Sequence, residues 1–193
     1  MQRLRDVRAT SGLAPEPGRW YTSLEDLRVQ TLLLVHGLEP GPIAWVPGPG
    51  CNSIGTLLTH LAESEAFWIV ERIGGRPLPA ARRELYRMDR FGLAGTGQAP
   101  LAPASFFARM LADLRLECRE ILAGLSDADL DGMRVWVDPD LPRTQEIFTV
   151  RWILRHVLEH EAHHKGQIAM IRRLLGAPPA PTLSGSDVEE GEA

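Results

Sequence analysis

Arg155-His156-Val157-Leu158-Glu159-His160-Glu161-Ala162-His163-His164-Lys165-Gly166-Gln167 holds four of the chain's six histidines. No proline interrupts this stretch. Read as a helix, Val150, Ile153, Val157, His160, His164, Gln167, Ile171 and Leu174 follow one another at steps of three and four. That spacing predicts the inward seam of a bundle helix. Imidazoles where a core wants Leu or Ile cost free energy unless something in the core binds them. A metal ion is the leading candidate.

Three more helices are expected upstream. The first should begin after Ser23, an N-cap with Asp26 three residues on, and bury Leu24, Leu27, Thr31, Leu34 and Leu38. Residues 1–22, with Gly12, Pro15, Pro17 and Gly18, read as an irregular lead-in. After a Pro/Gly-rich stretch in which Trp45 is the expected anchor, the second helix should start near Asn52 or Ser53 and run to Gly74-Gly75. The third should span 103–124 and bury Phe107, Met110, Leu114, Cys118 and Ile121. The fourth runs from Thr149 to Gly176. The connections 75–102 and 125–148 are long enough to cover a site, and a short strand or hairpin is expected around Arg134–Val137. The pattern predicts an all-α protein. Its domain is a four-helix bundle over 23–177, followed by a disordered acidic tail over 178–193.

The formal net charge of −4 comes from the tail acids Asp187, Glu189, Glu190 and Glu192, so no basic face for nucleic acid is implied. All but Lys165 of the 21 basic residues are Arg, spread along the chain. Cys51 and Cys118 form no CxxC pair, and a reduced, cytoplasmic setting is expected. No apolar run reaches the ~20 residues of a membrane span.

His160 and His164 lie one helical turn apart, ~6 Å, close enough to share an ion. They continue the inward line of Ile153 and Val157, while His156 and His163 fall beside it. A third ligand must come from elsewhere. His60 is the other mid-helix histidine; alone it reads as a hydrogen-bonded core residue, but it completes a three-histidine set if the second helix packs against the fourth. Three neutral histidines leave coordination positions open, as catalytic sites do. Gln167 and His163 are candidate neighbours of the ligands or substrate contacts. Imidazoles suit zinc, nickel, iron or copper. Two alternatives stand beside this reading. One is a solvated His-rich surface helix. The other is a zincin protease, since His160-Glu161-Ala162-His163-His164 matches HExxH. The extended metzincin form would need Gly at 167 and His at 170, where this chain has Gln167 and Met170.

Asn52-Ser53-Ile54-Gly55 through His60-Leu61-Ala62-Glu63-Ser64-Glu65, followed by Trp68, resembles the second-helix motif of the DinB/YfiT-like proteins. His156 through Ile168 resembles their fourth-helix motif. The resemblance covers residues 23–176. It implies an up-down-down-up bundle and a divalent metal held by His60, His160 and His164, with zinc expected first and nickel, iron or manganese as alternatives. It also implies metal-dependent, thiol-using chemistry: relatives include bacillithiol or glutathione S-transferases and a mycothiol-dependent isomerase, and others are described as hydrolases. A homodimer is expected on the same ground.

Three functions follow as expectations. The first is transfer of a low-molecular-weight, bacillithiol-type thiol to an electrophilic small molecule, with Trp45, Trp136 and loop arginines as candidate contacts. The second is a hydrolase activating water, with Glu63 or Glu161 as the base. The third is a non-catalytic metal-binding protein of the stress response.

Overall fold

Two of the helix starts are fixed by the side chains that the sequence points to. Ser53 accepts from the Thr56 backbone N–H, and Thr149 accepts from that of Trp152, so each offsets one of the orphan donors of a first turn. The computed structural model describes residues 7–86, 99–137 and 144–181. In chain order it has α1 (Pro15–Leu33), a short α2 (Pro40–Ala44) and α3 (Ile54–Glu65), which continues without a break as a π-helix over Ala66–Ile73. Then come α4 (Ala80–Tyr86), α5 (Ala104–Ala123), a 3-10 turn (Ala128–Asp131), β1 (Met133–Val137), β2 (Gln145–Thr149) and α6 (Val150–Leu174).

The four long helices α1, α3, α5 and α6 form the bundle, in up-down-down-up order. Around it α1 packs on α6, α6 on α3, α3 on α5 and α5 back on α1. The long second and third connections allow parallel neighbours in this ring. The stripe expected on α5 is buried from Phe107 to Ile121. The expected strand is one half of an antiparallel hairpin in which Val135 faces Ile147 and Trp136 faces Glu146. The connection over 75–102 contains α4. Among the described residues, no helix is long and apolar enough to cross a membrane. Residues 87–98 and 138–143 of the two connections, and the acidic tail from 182 on, lie outside the described residues.

The structure corrects three expectations. Helix α1 starts at Pro15, not after Ser23. Proline at the first helical position gives up a hydrogen bond that the helix would not make, and its fixed φ suits the turn. Gly18 then lets the preceding chain lie close: a Cβ there would meet Ala9 Cβ at 2.9 Å. Trp45, expected as an anchor, is 37% exposed. The seam of α6 is rotated from the expected line. Leu174 is 60% exposed, and the deepest positions are Val150, Ile153, Leu154, Val157, Glu161, Ile168 and Ile171.

Glu161 is buried because each of the other bundle helices sends a charge to meet it or its partners. Arg28 of α1 donates through Nε to Glu161 at 2.8 Å and through Nη2 to Glu65 of α3 at 2.6 Å. Arg115 of α5 donates through Nε to Glu65 at 2.6 Å, and its Nη2 reaches Glu161 at 3.5 Å. All four side chains are almost fully buried. Burial alone would raise the Glu65 carboxyl, but the guanidiniums of Arg115 and Arg28 more than offset it and hold it down to about 2.

Glu65→Gln, which leaves two buried guanidiniums short of a partner, should cost about 3–5 kcal/mol at pH 7 by urea denaturation. The unfolded carboxyl titrates near its ordinary 4.5 and the folded one near 2. The stabilisation from the ionised group is therefore complete above the first value and lost as pH falls through the second. The difference between Glu65→Gln and wild type should shrink across that window. A difference that stays constant to pH 2 contradicts the ionised quartet.

Candidate metal centre

The geometry of the site begins with where α3 and α6 face each other. His60 stands on the second turn of α3, and His160 and His164 stand on successive turns of α6. The three rings meet edge to face, with centroids 4.4–5.0 Å apart. His160 Nε2 lies 3.1 Å from His60 Nε2 and 3.1 Å from His164 Nε2. One nitrogen from each residue falls within 4.8 Å of the others. Three nitrogens on one tetrahedral zinc would be roughly 3.3 Å apart, given Zn–N bonds of about 2.0–2.1 Å.

The far sides of the rings settle which nitrogens face inward. His60 Nδ1 lies 2.8 Å from Oε2 of Glu63, one turn along α3 and 3% exposed. A carboxylate only accepts, so His60 Nδ1–H donates, and the neutral tautomer that this bond selects has its lone pair on Nε2. His164 Nδ1 lies 2.8 Å from the side-chain oxygen of Gln167, whose amide nitrogen faces His163 at 3.1 Å. His164 Nε2 is therefore also a lone pair. His160 Nε2 faces both of them. If it carries a hydrogen it can donate to one and not the other. A second proton on His160 is opposed by burial first and by His164 and His60 next, which together push its pKa down to about 3. Burial likewise pushes His164 down, partly offset by the Gln167 hydrogen bond. Protons cannot satisfy three nitrogens arranged this way. A divalent cation can, and the donor set fits one.

Several predicted residues lie elsewhere. His156 does not join the cluster; it stacks on Trp152 with centroids 5.0 Å apart and 6° between planes, and meets Trp68 edge to face. His163 is exposed; it faces the Gln167 amide nitrogen and meets the His164 ring edge to face, with centroids 5.2 Å apart. Glu161, one of two candidate bases, is turned into the core, where Arg28 and Arg115 hold it. Glu63, the other, bonds His60. Glu65, little more than a turn beyond His60 in the quoted motif, belongs to the buried quartet. Sequence reasoning named Trp136 but missed the aromatic wall that it joins beside the histidines: Phe67 and Trp68 of the π-helix, Phe148 of the hairpin and Trp152 of α6. The spacing of Phe67-Trp68 and Trp152 around one helix pair was the available clue.

Residues 21–177 match the family model described as mycothiol-S-transferase. The chain belongs to this family. Among solved structures it is similar to a DinB-like protein from Bacillus cereus, at 16% identity and a TM-score of 0.62, covering 86% of this chain and 96% of that one. It is also similar to YfiT from Bacillus subtilis, described as a probable metal-dependent hydrolase with an unusual four-helix bundle topology, at 19% identity and a TM-score of 0.58, covering 92% and 95%. A third, the DinB-like protein YjoA of Bacillus subtilis, has 18% identity and a TM-score of 0.58 and covers 85% and 96%. At these identities the likeness is one of fold. No curated protein matches the chain.

Metal analysis of purified protein should find about one divalent ion per chain, with His60→Ala and His164→Ala each losing it; full retention in both variants rules out the three-histidine set. Glu63→Gln should keep the fold and weaken the metal about 10–100-fold in competition with a chelator, because His60 Nδ1–H exchanges a charged acceptor for a neutral one and the ring becomes a poorer ligand.

Proposed function

We propose that the protein is a metal-dependent S-transferase that joins mycothiol to an electrophilic small molecule. What carries this is the convergence of three imidazole Nε2 atoms, two of them fixed as lone pairs by Glu63 and Gln167, in a chain that matches the mycothiol-S-transferase family over residues 21–177. The family match moves the thiol from the bacillithiol type expected from the sequence to mycothiol. A divalent cation held by His60, His160 and His164, zinc first, would lower the pKa of a bound thiol and so supply a thiolate near neutral pH.

The protein's own groups do the rest. Burial keeps His160 unprotonated, so the site offers nitrogen lone pairs and no competing cation of its own. Glu63 and Gln167 hold two of the rings in place before any ligand arrives, which lowers the ordering cost of binding. The nucleophile is the cosubstrate's sulfur and not Cys118, which is fully buried and whose thiol desolvation pushes well above the ordinary range. The sulfur forms a bond to the electrophilic carbon as the leaving group departs with its electron pair, and the thiol proton passes to solvent through the half-buried histidine side of the site. No general base is required, which agrees with the engagement of Glu161 in the core.

Metal-loaded protein offered monochlorobimane with mycothiol, bacillithiol, glutathione or no thiol should form the conjugate with mycothiol, and His164→Ala should abolish it. Ester or amide cleavage without thiol would reassign the same donor set to a hydrolase. A retained metal with no turnover at all would make it a binding module.

A further inference from the structure

Among the described residues, the buried polar atoms that lack a hydrogen-bond partner include Ser64 Oγ, Trp68 Nε1 and Arg72 Nε. They lie on one helix at steps of four, and the step before them is His60. Ser64 is 1% and Trp68 8% exposed. A buried donor without an acceptor is destabilising, and native proteins hold few of them. Three in file, beginning one turn from the proposed metal ligands, call for a common explanation. From His60 to Trp68 the rise is about 12 Å, so the file extends well beyond the reach of a single ion or its bound sulfur.

The rings packed along the file come from the hairpin, from α6 and from the π-helix itself. Phe148 of β2 and Trp152 and His156 of α6 surround Trp68, with centroids 5.0–5.6 Å away. Arg72 lies over Phe67, 4.5 Å from the centroid, and 6.0 Å from that of Trp136 of β1. Its acidic neighbour Glu71 is 3.8 Å away and already bonded by Arg83 at 2.7 Å. The hairpin is a two-stranded ribbon whose other face, Met133, Val135 and Ile147, is exposed. Its inner residues Trp136 and Phe148 rest on the π-helix.

We propose that the file is the seat of the thiol cosubstrate's polar body. The sulfur lies at the three Nε2 atoms, and hydroxyl, amide or carboxylate oxygens accept in turn from Ser64 Oγ–H, Trp68 Nε1–H and Arg72 Nε–H. The β1–β2 ribbon swings out to admit the body and closes over it. This rests on the thiol-transferase function proposed above. The electrophile is the poorer occupant, because a small apolar acceptor has no use for donors spread along two turns of helix.

Calorimetric titration of zinc-loaded protein with mycothiol, and with N-acetylcysteine as a thiol too short to pass Ser64, tests the assignment. Trp68→Phe and Arg72→Met should each weaken mycothiol roughly three- to tenfold, leaving N-acetylcysteine binding and zinc content as in wild type. Ser64→Ala should weaken mycothiol by a similar factor. A structural role for these groups predicts lower melting temperatures for the metal-free variants. The file predicts the reverse for Ser64→Ala and Trp68→Phe, which should melt at or above wild type because each removes an unsatisfied donor. Unchanged mycothiol affinity in both of these variants, equal losses for the two thiols, or a wild type that binds no mycothiol overturns the proposal. A wild type that binds mycothiol through these residues yet conjugates nothing overturns the transferase function and leaves the file standing.

Discussion

The bundle depends on a four-residue charge cluster, Arg28, Glu65, Arg115 and Glu161, one residue from each long helix. Two buried cations and two buried anions balance, and each carboxylate receives donors from both arginines. Such a cluster adds little stability over well-packed apolar residues, because desolvation opposes most of its Coulombic attraction. What it does impose is register. A slip of α6 by one turn would move Glu161 about 5.4 Å from its partners and leave charges buried without a counterion. The same slip would carry His160 and His164 away from His60. Glu161 is adjacent to His160, and Glu65 follows His60 by little more than a turn. The constraint that aligns the core therefore also aligns the three histidines, although no member of the quartet is bonded to them.

The second constraint is the change of helix type directly after Glu65. Over Ala66–Ile73 the backbone bonds run five residues back, as from Gly74 N–H to Ile69 O at 2.9 Å. A π-helix turns fewer degrees per residue than an α-helix, so the side chains beyond the switch point in new directions. π-Helical turns are uncommon and cluster at functional sites. Here the change spares the register of His60 and Glu65 and re-aims Phe67, Trp68 and Arg72 toward the hairpin and the start of α6. The aromatic wall beside the histidines is a product of that rotation.

Much of this was legible in the residues. Capping side chains at Ser53 and Thr149 gave two helix starts, and three-four spacing singled out His160 and His164 from four histidines. The quartet was not legible, for a physical reason. An Arg or Glu at a stripe edge is far more often solvated than buried, and only the mutual approach of all four makes burial tolerable. That approach is a tertiary fact. The same blind spot rotated the α6 seam: with Glu161 read as a candidate base and not as core, the inward line ran through the histidines, which in the structure flank the core and face α3. The early start of α1 was missed because Pro15, Pro17 and Gly18 read as loop, whereas the first proline favours a helix start and the glycine permits a close chain contact. The π-helix leaves no mark in an apolar pattern.

His160-Glu161-Ala162-His163-His164 shows how one spacing serves two chemistries. In the HExxH pattern, the two histidines bind one ion and the glutamate between them acts as base. Here the histidine spacing is kept and the glutamate is withdrawn. Consecutive helical residues project about 100° apart, so with His160 facing α3 a rotation of that size carries Glu161 inward, to where Arg28 waits 2.8 Å away and Arg115 holds the other oxygen. To act as a base Glu161 would have to leave two guanidiniums in a dry core. The carboxylate that serves the histidines is instead Glu63, on the opposite helix, and it is spent on fixing a tautomer. A site built this way binds and orients without a proton acceptor of its own. That suits a nucleophile that ionises readily once bound, as a thiol does, better than one that must be forced to, as water must.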